Sequence, residues 1–123
     1  MDFSRYENLR TLVRANFSEQ TRALVDEALV YADGKLTGLC RYDGTPLLDH
    51  AVAVAMVVIS EVGLGRNSTV SAILHDVVRL AHKRLPAEEF LALTADIRDG
   101  FGEQVVGLTM GLATVSYTHL RAH

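Results

Sequence analysis

The chain has 123 residues, 49% of them hydrophobic and 22% charged, which is enough apolar material to bury a core as one domain and excludes a disordered segment. A formal net charge of −3 without a run of Lys and Arg excludes bulk-charge binding to nucleic acid or acidic lipid. Cys40 is the only cysteine, which excludes an intrachain disulfide and a cysteine zinc cluster and points to a reducing compartment, the cytoplasm.

The N-terminus MDFSRYENLR carries charges where a signal peptide needs an apolar stretch, and the longest unbroken apolar run, Ala51 to Ile59, is too short to span a bilayer. From about Phe3, Leu9, Leu12, Val13 and Phe17 mark a first amphipathic helix. Ser18, three residues before Thr21, offers an N-cap for a second. That helix carries Leu24, Val25, Ala28, Leu29 and Ala32, and Asp33 and Gly34 close it. The segment 35–45, with two glycines, a third just before it at Gly34, and no period, reads as a surface loop.

Thr45 and Pro46 make an N-cap and first-turn proline for LLDHAVAVAMVVISEV, a helix apolar nearly all round and so expected at the centre of the domain, ending at Gly63 and Gly65. Asn67 or Ser68 caps the next helix, whose inward stripe is Val70, Ile73, Leu74, Val77 and Val78. Pro86 fits the first turn of a further helix, with Glu88 and Glu89 near the positive end of its dipole. A last helix from about Gly102 carries Val105, Val106, Leu108, Thr109 and Leu112. No stretch alternates as a strand does. The prediction is an all-α domain of about six helices over residues 1–114.

Residues 115–123, VSYTHLRAH, break this pattern without a cap or stop signal. Back-translated, they resemble the transposase adapter of shotgun sequencing libraries read through in one frame. They are set aside as non-native, so His119 and His123 receive no functional reading, and the domain is read as truncated.

His50 lies among Leu47, Leu48, Ala51 and Val54, which predicts an imidazole taken out of water and in need of a partner, since an unsatisfied buried polar group costs roughly 1 to 3 kcal/mol. His75 and Asp76 flank the inward stripe of the following helix. Two adjacent helices can thus bring two nitrogens and a carboxylate to one point, a set suited to divalent manganese, iron or zinc. On the residues alone this stays open against a hydrogen-bonded core histidine beside an ordinary polar edge.

Four blocks in order bear on the choice: RYDGTPLLDH (41–50), AVAVAMVVISEVGL after it, STVSAILHDVV, and FGEQVVGLTMGL. Together, from about Ala28 to Thr114, they resemble the N-terminal HD hydrolase domain of the RelA/SpoT family, which makes and degrades the alarmone (p)ppGpp. The first block is similar in register to that family's arginine-lysine-x-glycine-x-proline-x-x-x-histidine segment. The resemblance implies an HD-type helical bundle in which His50, His75 and Asp76 match three metal ligands, Mn2+ being the expected ion, with a fourth, an aspartate, further downstream. It implies that Arg41 contacts the guanine nucleotide. The family's neighbouring lysine is Tyr42 here and its tyrosine before the histidine is Leu47, so the resemblance assigns no nucleotide contact to either position.

Hydrolase-competent members carry a glutamate–aspartate pair where this chain has Arg79 and Leu80. Residues four apart stand over one another on a helix, so such a pair would lie over His75 and Asp76 and could deprotonate the attacking water. Leucine cannot. Arg79 would repel a cation by about 3 to 4 kcal/mol at 4 to 6 Å and an effective dielectric near 20, unless it swings toward solvent. His82, roughly 10 Å along the axis from His75, is too far away to replace a ligand and is expected in solvent.

The expectation is therefore a hydrolase domain weak or inactive in hydrolysis, regulatory toward a synthetase domain in a parent of GTP pyrophosphokinase type, with no nucleic-acid or membrane partner. An active HD phosphohydrolase with another water-orienting group and a metal-free helical interaction module are the alternatives. Serine or cysteine nucleophile chemistry is disfavoured, because no strand-turn-helix elbow presents Ser60, Ser68, Ser71 or Cys40.

Overall fold

A computed structural model describes residues 1–62 and 65–110. Asp2 accepts a hydrogen bond from the Ser4 backbone N–H and starts a 3-10 turn, Phe3–Tyr6, which leads into α1, Glu7–Asn16. Then come α2, Glu19–Leu36; α3, Leu47–Val57, continued by a π-helical turn, Val58–Val62; α4, Arg66–Arg84; and α5, Ala87–Phe101. Residues 103–110 form α6. The described residues are helical with no strand, as the all-α prediction requires. Leu112 and the tail from residue 115 lie outside the described residues.

Local chemistry explains most of the boundaries. Ser18 Oγ accepts from the Thr21 N–H at 3.3 Å, the predicted cap of α2. The helix does not stop at Asp33 and Gly34 but runs one turn further. Leu36 in that turn is buried against the core, which offsets the cost of about 1 kcal/mol for a glycine within a helix. Reversal falls to Gly38, whose positive φ of 79° suits a residue without a Cβ.

Three other starts differ from expectation. Pro46 is the N-cap of α3, its carbonyl accepting from the His50 N–H, and Thr45 instead donates its N–H to Asp43. Gly65, not Asn67 or Ser68, precedes α4. Asn67 and Ser71 bond each other within that helix through the Asn67 carbonyl. Pro86 is the N-cap of α5 and not in its first turn.

The predicted stripe of α4 is fully inside: Val70, Ile73, Leu74, Val77 and Val78 are all buried. α4 packs on α2, α3 and α5 and is the centre of the bundle. α3 is not, since Val54 and Val57 on its outer side are exposed. An apolar composition all round allowed burial on every side, but among the described residues α3 packs mainly where α1, α2 and α4 meet it. No described helix is long and apolar enough to cross a membrane.

The amino end is pinned to the start of α3. Tyr6, itself buried, donates its hydroxyl to Asp49 Oδ1 at 3.0 Å, and Arg5 pairs with Oδ2 of the same carboxylate. Burial and then the Asp49 bond push the Tyr6 phenol up to about 12. An unfolded tyrosine titrates near 10, so the folded state keeps a proton that the unfolded state releases. This stabilisation is complete below pH 10 and is lost as pH rises toward 12. Tyr6→Phe is expected to cost about 1 kcal/mol at neutral pH. It should also flatten the alkaline fall in stability, as read by urea denaturation at pH 8 and pH 11.

Candidate functional site

Asp49 precedes His50, so the contact that ties down the amino end also seats the first turn of α3. One turn of α4 faces it and carries His75 and Asp76. The Asp76 side chain is only 8% exposed and stands between the two imidazoles. His50 Nδ1 is 3.8 Å from Asp76 Oδ2, and His75 Nδ1 is 3.8 Å from Oδ1. The three residues expected to act together are thus brought together by α3 and α4. His50 is less buried than expected, its side chain 38% exposed. It lies on the rim of α3, where Val54, one turn on, is also exposed.

Charge in this cluster is governed by Arg79. Its Nε donates to Asp76 Oδ1 at 3.0 Å, across one helical turn. The guanidinium does not swing into solvent but folds back onto the carboxylate, because a carboxylate this far out of water is costly without a full positive partner. Desolvation lowers the pKa of His75; Asp76 opposes that shift, while Arg79 and His50 reinforce it. An imidazole with a pKa below its ordinary value is neutral at pH 7.

The donor set of two imidazoles and a carboxylate has the chemistry of a divalent-metal site. As the side chains stand it does not fit such an ion, since Arg79 already holds the carboxylate oxygen that also faces His75. Among the described residues no group of three or more His, Cys, Asp and Glu is placed to hold a metal ion. Leu80, at the other position where water-activating carboxylates were sought, lines a neighbouring cavity and offers no proton acceptor.

That cavity, about 510 Å3, lies between the 37–46 loop and the end of α4. The loop is shaped by its backbone. The Arg41 N–H donates to Thr45, the Gly44 N–H to Arg41 and the Leu47 N–H to Leu39, with Cys40 bridged to Pro46. Gly44 takes a positive φ of 90° at the turn. The turn carries Arg41 to the cavity wall opposite Arg79, Lys83 and Arg84 of α4, with Leu39, Leu47 and Leu80 as its apolar part. Among the described residues, four cations and no carboxylate line it. Tyr42 at the mouth is 95% exposed, with the Arg41 guanidinium 5.9 Å from its ring centre.

Lys83 and Arg84 were not singled out from the sequence. The signal was present in the spacing, since Lys83 follows Arg79 by four residues and so shares its helix face. His82 points away from the site, is exposed as expected, and packs edge-on against Phe90 with ring centres 5.2 Å apart.

An all-helical bundle that sets the histidine–aspartate dipeptide of one helix against a histidine of the helix before it is a metal-dependent phosphohydrolase fold. The HD domain family matches residues 28–121, and the chain belongs to that family. HD domains as a class depend on divalent metals. Comparison with curated proteins finds no match, and neither does comparison with solved structures.

Proposed function

We propose that this HD domain is the N-terminal, pyrophosphohydrolase-type domain of a cytoplasmic RelA/SpoT-like (p)ppGpp synthetase/hydrolase, weak or inactive in hydrolysis and regulatory toward a synthetase domain of the same parent protein. The observation that carries this reading is the cationic cavity that adjoins the His50–His75–Asp76 cluster and shares Arg79 with it. A nucleotide bearing two diphosphates is strongly anionic, and guanidinium groups take phosphate oxygens in paired, charge-assisted hydrogen bonds. Arg41 and Arg79 from opposite walls, with Lys83 and Arg84 beyond, supply those donors, and the exposed ring of Tyr42 offers a stacking face for a base.

What the site lacks is an acceptor for the proton of an attacking water. Arg79 and Leu80 cannot take one, and Asp76 is engaged by Arg79. Binding without turnover follows, which suits a domain that senses the alarmone and passes its state to a neighbouring domain.

Calorimetric titration with ppGpp and with GDP tests the reading. ppGpp is expected to bind more tightly than GDP. Arg41→Ala and Lys83→Ala should each weaken it by about tenfold, the loss of one hydrogen bond to a charged group. Equal affinity for the two nucleotides would remove the alarmone from the proposal. Pyrophosphate release at the rate of a competent HD hydrolase would remove the loss of activity.

A further inference from the structure

We propose that Arg79 is the resident cation of the HD site: its guanidinium occupies the Asp76 carboxylate in place of a divalent ion and holds the His50–Asp76–His75 cluster together without metal. This rests on the HD assignment and on the geometry around Asp76, and not on which nucleotide the cavity takes.

Three observations lead there. The Asp76 carboxylate is almost wholly withdrawn from water, so its charge must be met by a full positive charge nearby. Arg79 is the residue that meets it, Nε to Oδ1 at 3.0 Å. The imidazoles stand further off, each with Nδ1 at 3.8 Å from a carboxylate oxygen. Arg79 also reaches the cavity wall, and its terminal nitrogens make no hydrogen bond among the described residues. One side chain therefore holds the buried carboxylate with Nε and lines the cationic cavity, its two remaining nitrogens left without a protein acceptor among the described residues. A metal ion bridging protein carboxylate and ligand phosphate has the same two-sided task. Arginine performs it with a fixed charge and planar donors that no change in metal supply alters.

The arrangement makes Arg79 and a divalent ion competitors for one oxygen. Removing the guanidinium should release the carboxylate and both imidazoles as ligands. Titration of the nucleotide-free 123-residue protein with Mn2+ alone, followed by loss of the free-ion electron paramagnetic resonance signal, reads this directly. Arg79→Gln is expected to bind Mn2+ at least about tenfold more tightly than the unaltered protein, and Arg79→Lys, which keeps the charge, is expected not to. Adding Asp76→Asn to Arg79→Gln should abolish the gain. Mn2+ should raise the melting temperature of Arg79→Gln and leave that of the unaltered protein in place.

The unaltered protein supplies a measurement that needs no variant to fold. Its Arg79 Nε–H should give a resolved, slowly exchanging nitrogen-15 resonance at neutral pH. A Mn2+ affinity in the unaltered protein equal to that of Arg79→Gln overturns the proposal. So does a gain that survives Asp76→Asn, or the lack of a protected Arg79 resonance. None of these outcomes bears on whether ppGpp enters the cavity, which the calorimetric titration reads separately.

Discussion

Replacing Arg79 by Glu and Leu80 by Asp together should turn the domain into a measurable (p)ppGpp hydrolase, with a rate about 10²- to 10⁴-fold above that of the unaltered protein, the range a positioned general base contributes. The reason lies in two coupled changes. Arg79 now sits with Nε 3.0 Å from Asp76, and its removal frees that carboxylate. Leu80 lines the cavity in which a phosphate group would lie, so an aspartate there faces the space that an attacking water must occupy. Leu80→Asp alone leaves Arg79 on Asp76 and should gain little, which separates the two contributions. The readout is pyrophosphate release from ppGpp with Mn2+ in the buffer, on the 123-residue chain. A double variant as silent as its parent would show that the pair is not what the site lacks.

The second large effect concerns stability. Leu74→Ala is expected to cost about 2 to 5 kcal/mol, the range for emptying a leucine site in a packed core. Leu74 is fully buried in the middle of α4, where that helix packs on α2, α3 and α5. Against a total stability of about 5 to 15 kcal/mol this is a large share, and urea denaturation at pH 7 measures it. Leu91 on α5 is 65% exposed, and its replacement by alanine should stay within about 0.5 kcal/mol. Equal losses at the two positions would contradict a bundle built around α4. Because α4 also carries His75, Asp76 and Arg79, the Leu74 change should loosen the site along with the core.

Expectation and structure agree where a rule acts within a few residues. The α4 stripe was legible because apolar side chains three and four apart share a helix face, and all five of its residues are inside. The Ser18 cap was legible because a hydroxyl can reach an N–H three residues on. Helix ends were less legible. Gly34 marks a stop on local propensity, but the burial of Leu36 carries α2 past it. The outward side of α3 shows the same limit, since composition says how much can be buried and not what will cover it.

For the site, the sequence by itself determined which residues could cooperate: a histidine early on one helix, a histidine–aspartate pair inward on the next, and an arginine and a leucine three and four residues past that aspartate. Helical spacing alone places Arg79 one turn from Asp76. Only the tertiary structure decided that His50 arrives 3.8 Å from that carboxylate, that the carboxylate leaves water, and that Arg41 crosses on its loop to face Arg79, Lys83 and Arg84. A side chain's freedom to seek solvent is a local property, whereas the cost of an unpaired charge depends on what the fold has packed around it. That cost is set by α3 and α4 together, and it holds the Arg79 guanidinium on Asp76.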